Sequence, residues 1–219
     1  MTDAARAARS LRKTLVAGGV LLLVSAVAGF AVPALVSTPL LVVVGWVGTA
    51  AFSAALLVFA FGIGREGSIV ARRPLAVTAA IVVAAWPFLE RLLTLLVPYE
   101  NADPAFYQGW GYVSWTVTLG ALLVFVLQIA RAGVLRGRVR WMPVWGLVLV
   151  AAPQILAQLL VVALQADLGT EDQEWIFLIF GLGQLLAFAV PVGLGITALV
   201  TANNPLPAGE PVQVYPPAG

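Results

Sequence analysis

The chain contains no cysteine and no histidine. Without cysteine there is no disulfide framework, no thiolate metal site and no sulfur nucleophile. The lack of histidine excludes more, because it removes the commonest general base and the commonest metal ligand. Charge is scarce as well: 10% of residues are Asp, Glu, Lys or Arg, against 61% hydrophobic, and mean hydropathy is +1.00. A soluble domain carries about 25% charged residues. Too little polar surface exists to cover a water-soluble globule, so lipid is the solvent for most of the chain. A spanning helix needs about 20 apolar residues. Six of them with short loops use nearly all 219 residues and leave no room for a folded soluble domain.

What is present is six long apolar runs, near 14–36, 40–63, 74–98, 111–130, 142–166 and 175–201. Backbone inside a bilayer must satisfy its own hydrogen bonds, so unbroken Leu/Val/Ala runs of this length predict helices. A β-barrel would show short alternating segments instead. The expected fold is therefore an all-α, six-helix membrane bundle. It is preceded by a basic segment at 1–13 and followed by a tail at 202–219 that holds Pro205, Pro207, Pro211, Pro216 and Pro217. Proline fixes φ and removes a donor, so the tail is expected to be extended and solvated. A polyproline ligand for an aromatic groove is the rarer use of such a segment. Ala26-Val27-Ala28 after a basic start imitates a signal-peptide cleavage site, but the apolar run continues to about Val36 and reads as a retained span.

The connections set the orientation. Arg6, Arg9, Arg12 and Lys13 precede the first span; Arg65, Arg72 and Arg73 follow the second; Arg131, Arg136, Arg138 and Arg140 follow the fourth. The alternate connections carry Glu100, Asp103, Asp167, Glu171, Asp172 and Glu174 and no basic residue. Cytoplasmic loops collect Lys and Arg, so both termini are expected in the cytoplasm. Tyr99, Tyr107, Trp110, Tyr112, Trp115 and Trp175 fall at expected outer boundaries, and Trp141 and Trp145 at an inner one, the headgroup level that these amphipathic rings prefer. A single lysine among twelve basic residues reads as the codon usage of a GC-rich bacterial genome, which makes the expected location a bacterial inner (plasma) membrane.

The second and third pairs of spans look alike. Each starts at an arginine cluster, reaches a proline after two alanines (Ala84-Ala85-Trp86-Pro87; Ala151-Ala152-Pro153) and continues through Leu92-Leu93 or Leu159-Leu160 to an acidic loop. That is a weak signal of three repeated helical hairpins. Gly18, Gly19, Ser25 and Gly29 in the first span, and Gly181, Gly183, Gly193 and Gly195 in the sixth, allow close helix approach. In gross layout alone, six spans with minimal loops resemble the substrate-binding subunits of vitamin uptake transporters; no motif carries a residue role across.

Ionisable residues inside a membrane are costly and functionally suspect. Glu90 and Arg91 are the one such pair. Glu90 is 17 residues beyond Arg73, roughly 25 Å along a helix. Adjacent residues point about 100° apart, so both need partners elsewhere. Gln158 and Gln184 fall at matching depth, Gln154, Gln158 and Gln165 share a helix stripe, and Thr94 lies one turn above Glu90. Glu90, Arg91, Thr94, Gln154, Gln158 and Gln184 thus form a candidate polar layer, open outward, that binds a solute or relays a proton beside the Pro87 and Pro153 kinks. The structural reading gives the glutamines to interhelical hydrogen bonds and Glu90–Arg91 to the outer interface.

Enzyme chemistry is not expected. Serine catalysis lacks a His or Lys partner inside the membrane, no metal-ligand spacing exists, no aspartyl dyad exists, and no Gly-rich turn cradles phosphate. No cofactor, metal or nucleic acid is expected. The sequence favours a non-catalytic membrane subunit or scaffold whose partners are the bilayer, other membrane proteins or further copies of itself. The alternative is a small permease or solute-binding subunit built on the layer around Glu90. The native absence of cysteine makes the topology directly testable. In intact cells a membrane-impermeant thiol reagent is expected to label Asp103→Cys and to leave Gly137→Cys unlabelled; the reverse pattern would invert the orientation.

Overall fold

The computed structural model describes residues 3–64, 67–97, 104–135, 137–164 and 173–204. Arg65, Arg136, Gln165, the acidic residues Glu100, Asp103, Asp167, Glu171 and Asp172, and the proline-rich 205–219 lie outside them. The described residues are helical and contain no strand. The helices are α1 (Asp3–Ala31), α2 (Leu40–Phe61), α3 (Pro74–Leu96), α4 (Pro104–Ala132), α5 (Met142–Leu164) and α6 (Gln173–Asn203). All six are long and apolar enough to cross a bilayer and fit a multi-pass membrane protein. The apolar runs locate them closely, although α1 and α4 begin well before the runs at 14 and 111. The basic residues Arg6, Arg9, Arg12 and Lys13 lie in the first turns of α1, continuous with the span. Short 3₁₀ segments, Val32–Leu35 and Gly137–Trp141, finish α1 and lead into α5.

Each helix packs against the next, and α6 returns to α1, so the six close a ring in chain order. Helix association in lipid has little hydrophobic drive and depends on close van der Waals fit. α1 achieves that fit on two sides. Ser10, Thr14 and Gly18, four residues apart, form one stripe. A Cβ at Gly18 would lie 2.3 Å from the edge of the Phe59 ring of α2. Gly19 belongs to a second stripe: its Cβ would lie 2.9 Å from the Gly195 carbonyl of α6, and the reverse contact is equally tight. Arg12 extends that side by donating to Asn203 Oδ1 at 3.3 Å. Gly48 of α2 meets Ala28, whereas Gly29, Gly181 and Gly193 have open space where a Cβ would go. Only some of the glycines legible in the sequence therefore act as contact points.

The connection between α2 and α3 folds back under the bundle. Gly67, Ser68, Ile69 and Val70 are buried, Val70 completely, although they belong to a loop. Their backbone is satisfied by neighbours. Ile69 N–H donates to Phe59 O (3.1 Å), Ile63 N–H to Thr14 Oγ1 (2.7 Å), and Ser10 Oγ to Ile63 O. Ser68 Oγ donates to Ala60 O at 2.6 Å and accepts from Arg72 N–H at 3.1 Å. Arg72 Nε and Nη2 reach the Phe61 and Gly64 carbonyls, a cation at the negative end of the α2 dipole. Gly62 has φ +72°, and a Cβ there would collide with the Gly67 backbone, so this turn requires glycine. Ala71 and Arg72 also sit at positive φ, a conformation that L-residues hold only when neighbours fix it.

Gly19→Leu is expected to destabilise the protein by about 1–3 kcal/mol through overpacking against α6. The measurement is thermal unfolding in detergent followed by size-exclusion chromatography. Gly193→Leu, on the open side of α6, is expected to leave the midpoint unchanged.

Candidate functional site

α3 carries the membrane charges and continues through Pro87. Proline donates no hydrogen bond, and freed carbonyls in a membrane helix are commonly taken up by Ser or Thr of a neighbour. The carbonyl that Pro87 leaves without its helical donor is that of Val83; Ser53 of α2 donates to the next one, Ala84, at 2.9 Å.

Beyond Pro87 the two charges turn to different neighbours, as adjacent helical positions must. Glu90 faces α4. Its Oε1 accepts the hydroxyl proton of Ser114, and Ser114 Oγ accepts the Trp86 indole N–H at 2.8 Å. An indole N–H only donates, and a hydroxyl has one proton, so the direction of this relay is fixed from Trp86 through Ser114 to Glu90. Trp86 also stacks on Trp110, with centroids 5.7 Å apart and planes 11° from parallel. Two pairs spaced by four, Trp86/Glu90 and Trp110/Ser114, thus clasp α3 to α4. Glu90 lies six residues before the end of α3, about 9 Å along the helix, so the clasp sits toward the end opposite the arginines. There Tyr107 donates to the Val97 carbonyl.

Arg91 faces α2. Its guanidinium carbon is 4.1 Å from the Trp46 ring centroid, and Phe88 packs against the same indole at 5.7 Å. A Cβ at Gly45 would sit 3.5 Å from Arg91 Nη2, so the guanidinium runs along the α2 backbone. Cation–π contacts of this kind contribute about 0.5–1 kcal/mol when exposed and about 2 kcal/mol when desolvated.

The other sequence-derived candidates are placed elsewhere. Thr94 is exposed and returns its hydroxyl to the Glu90 carbonyl at 3.0 Å. Gln154 of α5 is half-buried against Gly183 of α6, where a Cβ would lie 3.2 Å from its amide nitrogen. Gln158, one turn beyond, and Gln184, next to Gly183, are both exposed. Among the described residues no hydrogen bond joins these glutamines to Glu90 or Arg91, whose partners are Ser114 and Trp46. The sequence signal for those partners was the pair of matching four-residue spacings on α3 and α4. Nothing singled out Trp46.

A cavity of about 300 Å³ lies inside the ring, lined from α1, α2, α4, α5 and α6 and by Ile69 of the folded-back loop. Its lining is apolar apart from Thr197 and Thr201, and none of the six polar-layer candidates borders it. Compared with models of protein families, with curated proteins and with solved structures, the chain matches none. The fold and this geometry define a multi-pass helical membrane protein with an apolar interior and its charges managed at helix contacts.

Ser114→Ala removes both the donor to Glu90 and the acceptor for Trp86, and is expected to cost about 1–3 kcal/mol. Ser114→Thr keeps the hydroxyl and is expected to keep most of the stability. In a double-mutant cycle with Glu90→Leu, read by thermal unfolding in detergent, the two losses are expected to be non-additive by at least 0.5 kcal/mol. Strict additivity would show that the contact contributes nothing.

Proposed function

We propose that this chain is a non-catalytic subunit or scaffold of a bacterial inner membrane, with both termini cytoplasmic, that works by lateral association with other membrane proteins or with further copies of itself. The observation that carries this reading is the division of the polar residues. Glu90 and Arg91 are engaged inside the chain, by Ser114 and by Trp46, while Gln158 and Gln184 lie exposed on α5 and α6. An amide on the lipid-facing side of a span is stabilised when a second helix supplies its hydrogen-bond partners. Gln158 and Gln184 flank the Gln154–Gly183 contact within about one turn, so one partner surface reaches both. The clustering of the basic residues on alternate connections supports the orientation.

The competing reading, a small permease that uses the layer around Glu90, needs its polar groups to share a cavity. The 300 Å³ interior is lined by other, apolar side chains, which favours the subunit reading.

Solubilised in mild detergent, the protein is expected to run as a complex larger than one chain. Gln158→Leu with Gln184→Leu is expected to reduce it to the single chain, measured by light scattering after size exclusion. A native protein that elutes alone, without partner or second copy, would end this proposal. Single cysteines at Gln158 and Gln184 are expected to resist an impermeant thiol reagent in intact cells. Labelling of both would move the permease reading ahead.

A further inference from the structure

The 300 Å³ cavity is about twice the size of an apolar cavity that accommodates benzene. It has room for on the order of ten methylene-sized groups, taking about 30 Å³ for each. It offers water little. Thr197 already donates its hydroxyl to the Gly193 carbonyl at 2.8 Å, and a buried water needs two to four polar partners. The space therefore suits an apolar chain.

Its walls show where that chain enters. Of the neighbouring helix pairs in the ring, α4 and α5 meet least, and the wall between them is completed by Leu135 and Val139 of their connection and by Met142 at the start of α5. Met142 lines the cavity and is still 44% exposed, so the interior reaches the surface at this level. The 3₁₀ segment Gly137–Trp141 places Val139 in the cavity and leaves Arg138 and Arg140, on either side of it, exposed. Arg140 leans over the exposed Trp141, its guanidinium carbon 5.8 Å from the ring centroid. Arg131, in the last turn of α4, is exposed nearby in the chain. Among the described residues no carboxylate pairs with Arg131, Arg138 or Arg140. An apolar chamber with a cationic rim at headgroup level matches a lipid with an apolar tail and an anionic head. Basic pockets between membrane helices bind such heads, and the guanidinium fork suits phosphate.

We infer that the cavity receives an acyl chain of an anionic phospholipid from the surrounding leaflet, and that Arg138 and Arg140 hold its phosphate. The bound lipid fills the space that the α4–α5 contact leaves open and completes the wall of the ring.

The full chain in detergent, titrated with phosphatidylglycerol or phosphatidylcholine and read by native mass spectrometry, tests this. One phosphatidylglycerol per chain is expected to bind in preference to phosphatidylcholine. Arg138→Gln with Arg140→Gln, both at exposed positions that leave the fold intact, is expected to weaken that binding roughly 30-fold. A phosphatidylglycerol with a diazirine in its acyl chain is expected, on irradiation, to label cavity residues such as Leu194 and Phe125. Val139→Trp is expected to suppress that labelling while the head-group preference persists. Equal binding of the two lipids, or an unchanged affinity in the arginine variant, would overturn the head-group assignment. Labelling confined to outward residues such as Leu149 and Leu185 would place the chain in the annulus and overturn the cavity assignment.

Discussion

α1 has to lie against two helices at once, and two adjacent glycines make that possible. Gly18 opens the side that receives Phe59 of α2, and Gly19 opens the side on which the α6 backbone approaches at Gly195. In lipid the approach itself is the stabilising interaction, because apolar side chains gain little by leaving one apolar medium for another. Once α1 is drawn to both neighbours, α6 closes the ring and the helices opposite α1 must span the remaining width. α4 and α5 do so with sparse contact, and the unfilled width between them and α1 is the cavity.

The same economy governs polar groups. A bilayer supplies no water, so each freed carbonyl, loop amide or charge needs a partner within the protein. Ser53 reaches from α2 to the Ala84 carbonyl of α3, and Ser68 and Arg72 tie the returning loop to the end of α2. Ser114 and Trp46 receive Glu90 and Arg91. None of these arrangements points into the interior. Glu90 and Arg91, adjacent along α3, contact two different neighbouring helices, α4 and α2. Gln158 and Gln184 of α5 and α6, and Arg138 and Arg140 beside the cavity-lining Val139, are exposed instead.

Much of the fold was legible in the sequence, because hydrophobic length is a one-dimensional property. Six runs of Leu, Val, Ala and Ile and the exclusion of basic residues from alternate connections are readable without knowing which helix touches which. The need of Glu90 and Arg91 for separate partners was legible too, since a 100° step between neighbours is a local rule. The depth match of Glu90 with Gln158 and Gln184 was equally readable, but depth fixes only one coordinate. The structure turns Glu90 toward Ser114 and leaves Gln158 and Gln184 on the surface of other helices.

What the sequence by itself determined is the solvent, the helix count and the approximate ends of the helices, since each follows from apolar length and charge position. Only the tertiary structure decided which glycines are contacts, that Ile69 and Val70 of a loop would be buried, and that an apolar cavity would open beside Val139. The reason is rotational. A helix that is apolar all round carries no periodic signal for the face it turns inward. Its azimuth is set by where backbones can approach most closely, and that depends on pairs of residues far apart in the chain, such as Gly19 and Gly195.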